Sequence, residues 1–282
     1  QAHDARFTGM QSAVGGSLHR SVVRLRRGDL ANSAAACLVT PANDALVGNL
    51  NPLYWRFISR VSVDAAVRKL GGEELEAACE AIAPVSVTHG IRRDITRWTT
   101  GCKEGPSAVV RCPAGSALCT PAFGRLQADH VVHAVAPDSE FGYEGLYTGN
   151  ARDVAASGVQ HHSTAASVER RHSSWQQFSP PDDLLFSAYR SAFSEAARVG
   201  ASTVACPALG SGVKGWRHSI SAALALEAFA QHATHSGGAR ISSIDFVIGG
   251  FAPIADKAWS SWTRVARELL GAPPGLESAQ AY

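Results

Sequence analysis

Residues 207–216, Pro-Ala-Leu-Gly-Ser-Gly-Val-Lys-Gly-Trp, constrain the fold of this chain more than any other stretch. The apolar run 202–206 before them reads as a buried strand, and 218–226 after them reads as the opening of a helix. A strand that ends in glycines and feeds a helix builds a loop whose backbone N–H groups converge on one anion, with the helix N-terminus behind them. Glycine suits such a loop because a Cβ would hold the backbone away from a phosphate. Taken alone, the segment fits a plain βα turn equally well.

A second loop lies far upstream, where an apolar strand ending at Val39 runs into Thr40-Pro41-Ala42-Asn43-Asp44. A third follows the alternating stretch Val22-Val23-Arg24-Leu25-Arg26, which passes into Arg27-Gly28-Asp29-Leu30 and sets a carboxylate just past a strand end. Ligands of open α/β sheets bind outside the carboxyl ends of the strands. Three such loops carrying Asp, Asn and glycines predict a site for a ligand with a hydrogen-bonding base, a ribose and a diphosphate.

Between the loops the pattern alternates. Strands are predicted at 20–26 and 35–40, then a helix over 63–79 that Gly71-Gly72 divides in two. Strands near 115–120 and 129–136 follow, then a helix over 183–198 with Asp182 or Asp183 as N-cap and Gly200 as its stop. Strand 202–206, helix 217–232, strand 241–248 and helix 254–270 complete the series. In the last helix Ile254, Ala258, Trp262, Val265 and Leu269 share one stripe, as core packing requires. This order predicts a largely parallel sheet covered on both faces. One domain over 19–270 is expected, with insertions near 82–112 and 138–181 and flexible tails over 1–18 and 271–282.

A chain of 282 residues with 45% hydrophobic content can bury one substantial core and does not demand two domains. A formal net charge of +2 gives no basis for strongly electrostatic nucleic-acid binding. No apolar stretch approaches the roughly 20 residues of a membrane span, and the opening Gln1-Ala2-His3-Asp4-Ala5 lacks the apolar centre of a signal peptide. Cys37, Cys79, Cys102, Cys112, Cys119 and Cys206 are scattered without metal-ligand spacing, so a reduced, intracellular protein is the default reading. Cys37 and Cys206 fall in predicted strands as small hydrophobes. Cys102 and Cys112 fall in an irregular stretch, where accessible thiols are open to oxidation. His161-His162 and His172, beside Arg170-Arg171, have no companion cysteine pair or carboxylate, which favours a solvated loop over a metal site. A monomer without metal, cofactor, membrane or nucleic-acid partner is the expected state.

Gly28-Asp29-Leu30, Val39-Thr40-Pro41-Ala42-Asn43, Asp129-His130-Val131-Val132-His133-Ala134-Val135-Ala136-Pro137 and 207–216 occur in the order and spacing of a macrodomain. The chain resembles that family over most of residues 20–270. The family's usual motifs are G-D-I, V-N-A-A-N, V-I-H-T-V-G-P and P-A-I-S-x-G-V-x-G-[YF]. Val110-Arg111-Cys112-Pro113-Ala114-Gly115-Ser116-Ala117 is similar to the C-P-x-G-x-A stretch of plant-type members. The resemblance implies a three-layer α/β/α fold with a mixed, mostly parallel central sheet. It also implies ADP-ribose and its derivatives as ligands, with ADP-ribosylated proteins among the partners.

The same resemblance assigns roles. Asp29 would accept from the adenine amine, which suits an ionised carboxylate, and its alternative is a cap or turn residue. Asn43 matches the last Asn of the second motif and implies contact with the distal ribose; satisfying loop backbone groups is the alternative. Leu30 and Ala42 adjoin these two, and Ser211, Gly212, Val213, Lys214, Gly215 and Trp216 form the ligand loop. Lys214 stands where the family often places an aromatic over the distal ribose, so it either meets a phosphate or faces solvent. Trp216 is expected to pack beneath the loop, and Phe251 to stack on adenine or close the edge of the core.

The main departure follows Gly48. The family continues with a glycine run and V-D-G-A-I-H, whereas here residues 49–62 intervene before Val63-Asp64-Ala65-Ala66-Val67-Arg68. Asp64 matches the acid that, in hydrolytic members, orients a water against the distal ribose, which implies Asp64 and Asn43 as catalytic residues. A first-turn helix carboxylate is the alternative for Asp64. The inserted Tyr54, Trp55 and Phe57 form either a new wall of the distal pocket or an apolar plug, with Arg56 or Arg60 placed to meet a phosphate. The implied reaction is hydrolysis of ADP-ribose-1''-phosphate, O-acetyl-ADP-ribose or ADP-ribosyl esters on proteins. A non-catalytic ADP-ribose reader is the alternative, favoured by the lost glycine run and by Lys214. A scaffold contacting acidic partners or RNA through its Arg-rich inserts has no recognition motif behind it.

Overall fold

The computed structural model describes residues 5–14, 17–48, 62–88, 108–137, 139, 180–212, 214–235, 241–249 and 252–271. In chain order its elements are β1 (Ala5–Val14), β2 (Ser17–Arg27), β3 (Cys37–Pro41), α1 (Val63–Glu80), β4 (Ser86–Thr88), β5 (Ala108–Val110), β6 (Ala117–Pro121), β7 (His130–Ala134), α2 (Pro180–Arg198), β8 (Thr203–Pro207), α3 (His218–His235), β9 (Ser243–Ile248) and α4 (Ala252–Leu270). Seven strands form one sheet in the order β1-β2-β9-β8-β3-β7-β6. The inner run β2-β9-β8-β3-β7 is parallel, and β1 and β6 close the two edges antiparallel.

Alternation along the strands divides the core into two layers. Cys37 and Val39, Val132 and Ala134, Val204 and Cys206, and Ile244, Phe246 and Ile248 join one cluster with the apolar faces of α2, α3 and α4. Aromatic pairs lock that layer: Phe246 and Trp262 lie 5.0 Å apart, and Phe193 meets Phe229 edge-on at 5.5 Å. Leu38, Val131, Ala205 and Val247 face the other way, onto Val67 and Leu75 of α1. The result is a three-layer α/β/α fold around a mixed, mostly parallel sheet.

Within α1 the expected division falls at Gly72, whose φ of 70° and ψ of −164° break the helix. The break frees the Leu70 carbonyl, which takes the Arg125 N–H at 2.7 Å. Gly124 comes so close that a Cβ there would collide with the carbonyl oxygens of Leu70 and Gly71. The break therefore seats the 122–126 turn against the helix.

Three features differ from expectation. The predicted tail over 1–18 contains β1, which pairs with β2 from Ala5↔Leu25 to Val14↔Ser17 and buries Phe7. The insertion near 82–112 carries a two-stranded antiparallel ribbon of β4 and β5. Cys112, expected on an open loop, is buried, and burial pushes its thiol up to about 12, so it stays protonated and inert. Cys102, His161, His162 and His172 lie outside the described residues, as does 272–282. Among the described residues no helix is long and apolar enough to cross a membrane.

Candidate functional site

The adjacent parallel strands β2, β9, β8 and β3 end at one edge, and there the predicted loops meet. After β2, Asp29 caps the short 3-10 turn Leu30–Asn32: its carboxylate accepts from the Ala31 N–H at 3.0 Å. Asp29 is exposed and Leu30 is buried beneath it. The chain end of β9 closes on this turn so tightly that a Cβ on Gly249 would lie 2.5 Å from the Gly28 carbonyl oxygen. Asp29 is thus fixed at the sheet edge in the capping conformation, the local alternative for this residue. Among the described residues, its other oxygen is reached by a long bond, 3.4 Å from the Asn32 amide.

The loop after β3 is held from below. The Ala42 N–H donates to the Ala134 carbonyl at 2.9 Å. The Asn43 amide spans the turn, donating to the Val47 carbonyl at 2.6 Å and accepting from the Val47 N–H at 3.1 Å. Leu46 is the one described non-glycine residue with positive φ, 54°, and its side chain is buried. Two arginines brace this strained turn: Arg111 donates to the Ala45 carbonyl at 3.2 Å, and Arg68 to the Leu46 carbonyl at 3.0 Å. The N–H groups of Arg111 and Cys112 both donate to the Asp44 carbonyl, at 2.8 and 3.0 Å.

Asp64 stands one residue inside α1, whose N-cap is Ser62. Its carboxylate receives the Arg68 Nε at 3.1 and 3.2 Å and the Thr40 hydroxyl at 3.4 Å. Arg68 is buried and Asp64 half-buried, with side-chain exposures of 5% and 14%. Burial pushes the Asp64 carboxyl above the ordinary carboxylate range, against the lowering pull of the Arg68 guanidinium. Gly48 lies over the Arg68 side chain; a Cβ there would stand 3.0 Å from Arg68 Cδ. Close by, His133 shares Nε2 with the Thr120 hydroxyl at 3.0 Å and with the Cys79 thiol at 3.5 Å. Burial, with Arg68 nearby, pushes His133 down to about 3, so it is neutral.

The loop after β8 is built likewise. Gly210 and Gly215 both have φ of 74°. A Cβ on Gly210 would strike the Trp216 ring, which is buried under the loop with its Nε1–H donating to the Pro137 carbonyl at 2.8 Å. Trp216 N–H closes on the Gly210 carbonyl at 3.1 Å, and Gly215 N–H on that of Gly212 at 3.1 Å. Ser211 donates through its hydroxyl to the Ala208 carbonyl at 2.8 Å, and Ser139 N–H donates to that of Lys214 at 3.0 Å. Ser221 donates to the Leu209 carbonyl at 2.9 Å. Gly212 is exposed, while Ser211, Lys214 and Gly215 are half-buried. α3 begins at His218, so its positive end rises from this loop.

Both loops share one property. The carbonyls of Asn43, Asp44, Ala45, Leu46 and Val47, and those of Ala208, Leu209, Gly210, Gly212 and Lys214, all accept hydrogen bonds from the protein itself. A rim with this many of its carbonyls already engaged, backed by a helix N-terminus, suits an anion. Val213, Phe251, Tyr54, Trp55, Arg56, Phe57 and Arg60 lie outside the described residues. Sequence reasoning missed Arg68 and Arg111 as braces, and Tyr189 and Ser221 beneath the second loop. Arg68 carried a signal, since it stands four residues after Asp64 on one helix face. Among the described residues no group of His, Cys, Asp and Glu is arranged to hold a metal.

This architecture is shared with known proteins. The Oceanobacillus iheyensis macrodomain solved with ADP superposes with a TM-score of 0.56 at 16% identity, covering 95% of this chain and 97% of that one. The Trypanosoma brucei macrodomain solved in complex with ADP-ribose gives a TM-score of 0.50 at 16% identity, covering 85% and 67%. At such identity the likeness establishes the fold. In sequence, a Streptomyces griseus protein described as macro domain-containing is 27% identical over 195 residues, 69% of this chain and 71% of its own length. No family model matches the chain. The chain thus has the macrodomain fold, and its sequence is similar to proteins described as macro domain-containing.

Proposed function

We propose that this protein binds ADP-ribose and its derivatives across the carboxyl edge of β2, β9, β8 and β3. The observation that carries the reading is that ten carbonyls of two adjacent loops already accept hydrogen bonds from the protein, which reduces the acceptors that would compete with an anion there. A diphosphate needs donors and no acceptors around it. Asp29, exposed with one oxygen weakly engaged, supplies an acceptor for a base amine two strands away. Asn43 keeps one amide hydrogen and one lone pair beyond its clasp on Val47, enough to address a ribose hydroxyl. The ligands of the two solved neighbours, ADP and ADP-ribose, have this chemistry. Protein-linked ADP-ribose would present the same groups.

Calorimetric titration tests the reading. ADP-ribose should bind in the micromolar range, on the order of −8 kcal/mol. Gly212→Glu, at an exposed loop position, should abolish that heat through charge repulsion with the fold retained. Wild type giving no heat at millimolar ADP-ribose would overturn it, as would normal binding by folded Gly212→Glu.

A second reading, hydrolysis at the distal ribose, has its own observation. Asp64 sits beneath the loop after β3, keeps 14% side-chain exposure, and holds a carboxyl made more basic by burial. Such a carboxylate can orient a water and accept its proton. Candidate substrates are ADP-ribose-1''-phosphate, O-acetyl-ADP-ribose and ADP-ribosyl esters on proteins. Against turnover, both Asp64 oxygens already accept from Arg68. Binding without turnover therefore remains the primary proposal.

A further inference from the structure

We propose that Tyr189 and Ser221 are positioning residues for the anion loop, acting through a closed ring of hydrogen bonds around Leu209; this rests on the ADP-ribose reading above. The Leu209 N–H donates to the Tyr189 hydroxyl oxygen at 2.8 Å. The Tyr189 and Ser221 hydroxyl oxygens lie 2.8 Å apart. Ser221 donates onward to the Leu209 carbonyl at 2.9 Å. Each hydroxyl owns one hydrogen. Ser221 spends its hydrogen on Leu209, so Tyr189 must donate to Ser221. Every proton in the ring is thereby assigned: N–H to Tyr189, Tyr189 to Ser221, Ser221 to the carbonyl of the same residue that began it.

Tyr189, Ser221 and Leu209 are all 0% exposed. Tyr189 stands on α2 and Ser221 on α3, so two helices grip one residue of the loop from behind. The ring fixes the peptide planes on both sides of Leu209. A trans peptide points its N–H opposite to its carbonyl. Holding the Leu209 carbonyl toward α3 therefore turns the Gly210 N–H away from the helices, toward the loop's outer side. Gly210, with φ of 74° and Trp216 packed against it, has no room to rotate a Cβ-bearing residue into that place. Removing one hydroxyl breaks the ring and leaves a buried group of Leu209 without its partner, which frees the plane to turn.

The test uses the full chain with Tyr189→Phe, Ser221→Ala and Ser221→Thr, titrated with ADP-ribose and with AMP, alongside thermal unfolding. Tyr189→Phe and Ser221→Ala should each weaken ADP-ribose about tenfold and AMP by less than about threefold, because the loop serves the diphosphate. Ser221→Thr, which keeps a hydroxyl, should retain most of the affinity. Should Tyr189→Phe not fold, Ser221→Ala decides, since it leaves the Leu209 N–H bonded to Tyr189. Lowered melting temperature with unchanged ADP-ribose affinity, or equal losses for AMP and ADP-ribose, would make the ring a core brace only and overturn the proposal. Failure of the underlying reading shows itself separately, as wild type that does not bind ADP-ribose, and the ring's role falls with it.

Discussion

Arg68→Met removes one side chain and exposes the logic of the loop after β3. Arg68 is 6% exposed, contacts both Asp64 oxygens at 3.1 to 3.2 Å, and holds the Leu46 carbonyl at 3.0 Å. Without it, among the described residues the Asp64 carboxylate keeps the Thr40 hydroxyl at 3.4 Å. Breaking a buried ion pair by deleting one partner costs about 3–5 kcal/mol. The residual 14% exposure of Asp64 lets water offset part of that, so we take about 2–4 kcal/mol. The orphaned Leu46 carbonyl adds about 1 kcal/mol. A total of about 3–5 kcal/mol is a large share of a domain stability of about 5–15 kcal/mol. Replacing both charges, as in Asp64→Leu with Arg68→Met, removes the uncompensated carboxylate and should recover at least about 2 kcal/mol of the loss. Urea unfolding of wild type, both single variants and the double variant measures this coupling. A cost below about 1 kcal/mol for Arg68→Met, or a double variant that equals the sum of the singles, would refute the reasoning.

Two further outcomes are expected. His133, pushed down to about 3 when folded against 6.5 when unfolded, binds fewer protons in the native state. Its stabilisation is present above about pH 6.5 and is lost as pH falls toward about 3, by up to roughly 1.4 kcal/mol per pH unit. Urea unfolding from pH 7.5 to pH 4.5 should show a steeper decline for wild type than for His133→Gln, and parallel profiles would contradict it. If the chain is a hydrolase, Asp64→Asn should cut turnover of ADP-ribose-1''-phosphate by about 10²–10⁴-fold with a much smaller change in affinity. Equal turnover by wild type and variant would remove Asp64 from the mechanism.

The sheet was legible because its inner strands are short apolar runs punctuated by glycine, proline and caps, signals that depend on neighbours in sequence. Gly71-Gly72 marked the break in α1 for the same reason, and Gly72 carries it with a positive φ. β1 was not legible: its place is set by pairing with β2, and the inward positions Ala5 and Phe7 carry little local signal. At the site, loop positions were readable from motifs, whereas the bonds that shape them were not. Asp29 and Asn43 were each open to a ligand role and a local role, and the structure gives both the local bonds, to Ala31 and to Val47. Arg111 reaches Ala45 across 66 positions, and Ser139 reaches Lys214 across 75; no periodicity announces such contacts. Tyr189 reads as a core residue at helical spacing, and only its hydroxyl, which must find a partner when buried, hints at more.

The central claim is that ADP-ribose lies against two loops in which ten carbonyls are already engaged by the protein. Following backbone amide resonances during an ADP-ribose titration tests it most directly. The largest shifts should fall on 42–48 and 208–216, with a smaller set at 28–31, and the amides of β4 and β5 should stay still. Saturable binding whose shifts avoid both loops, or no saturable shifts at millimolar ligand, would contradict the account.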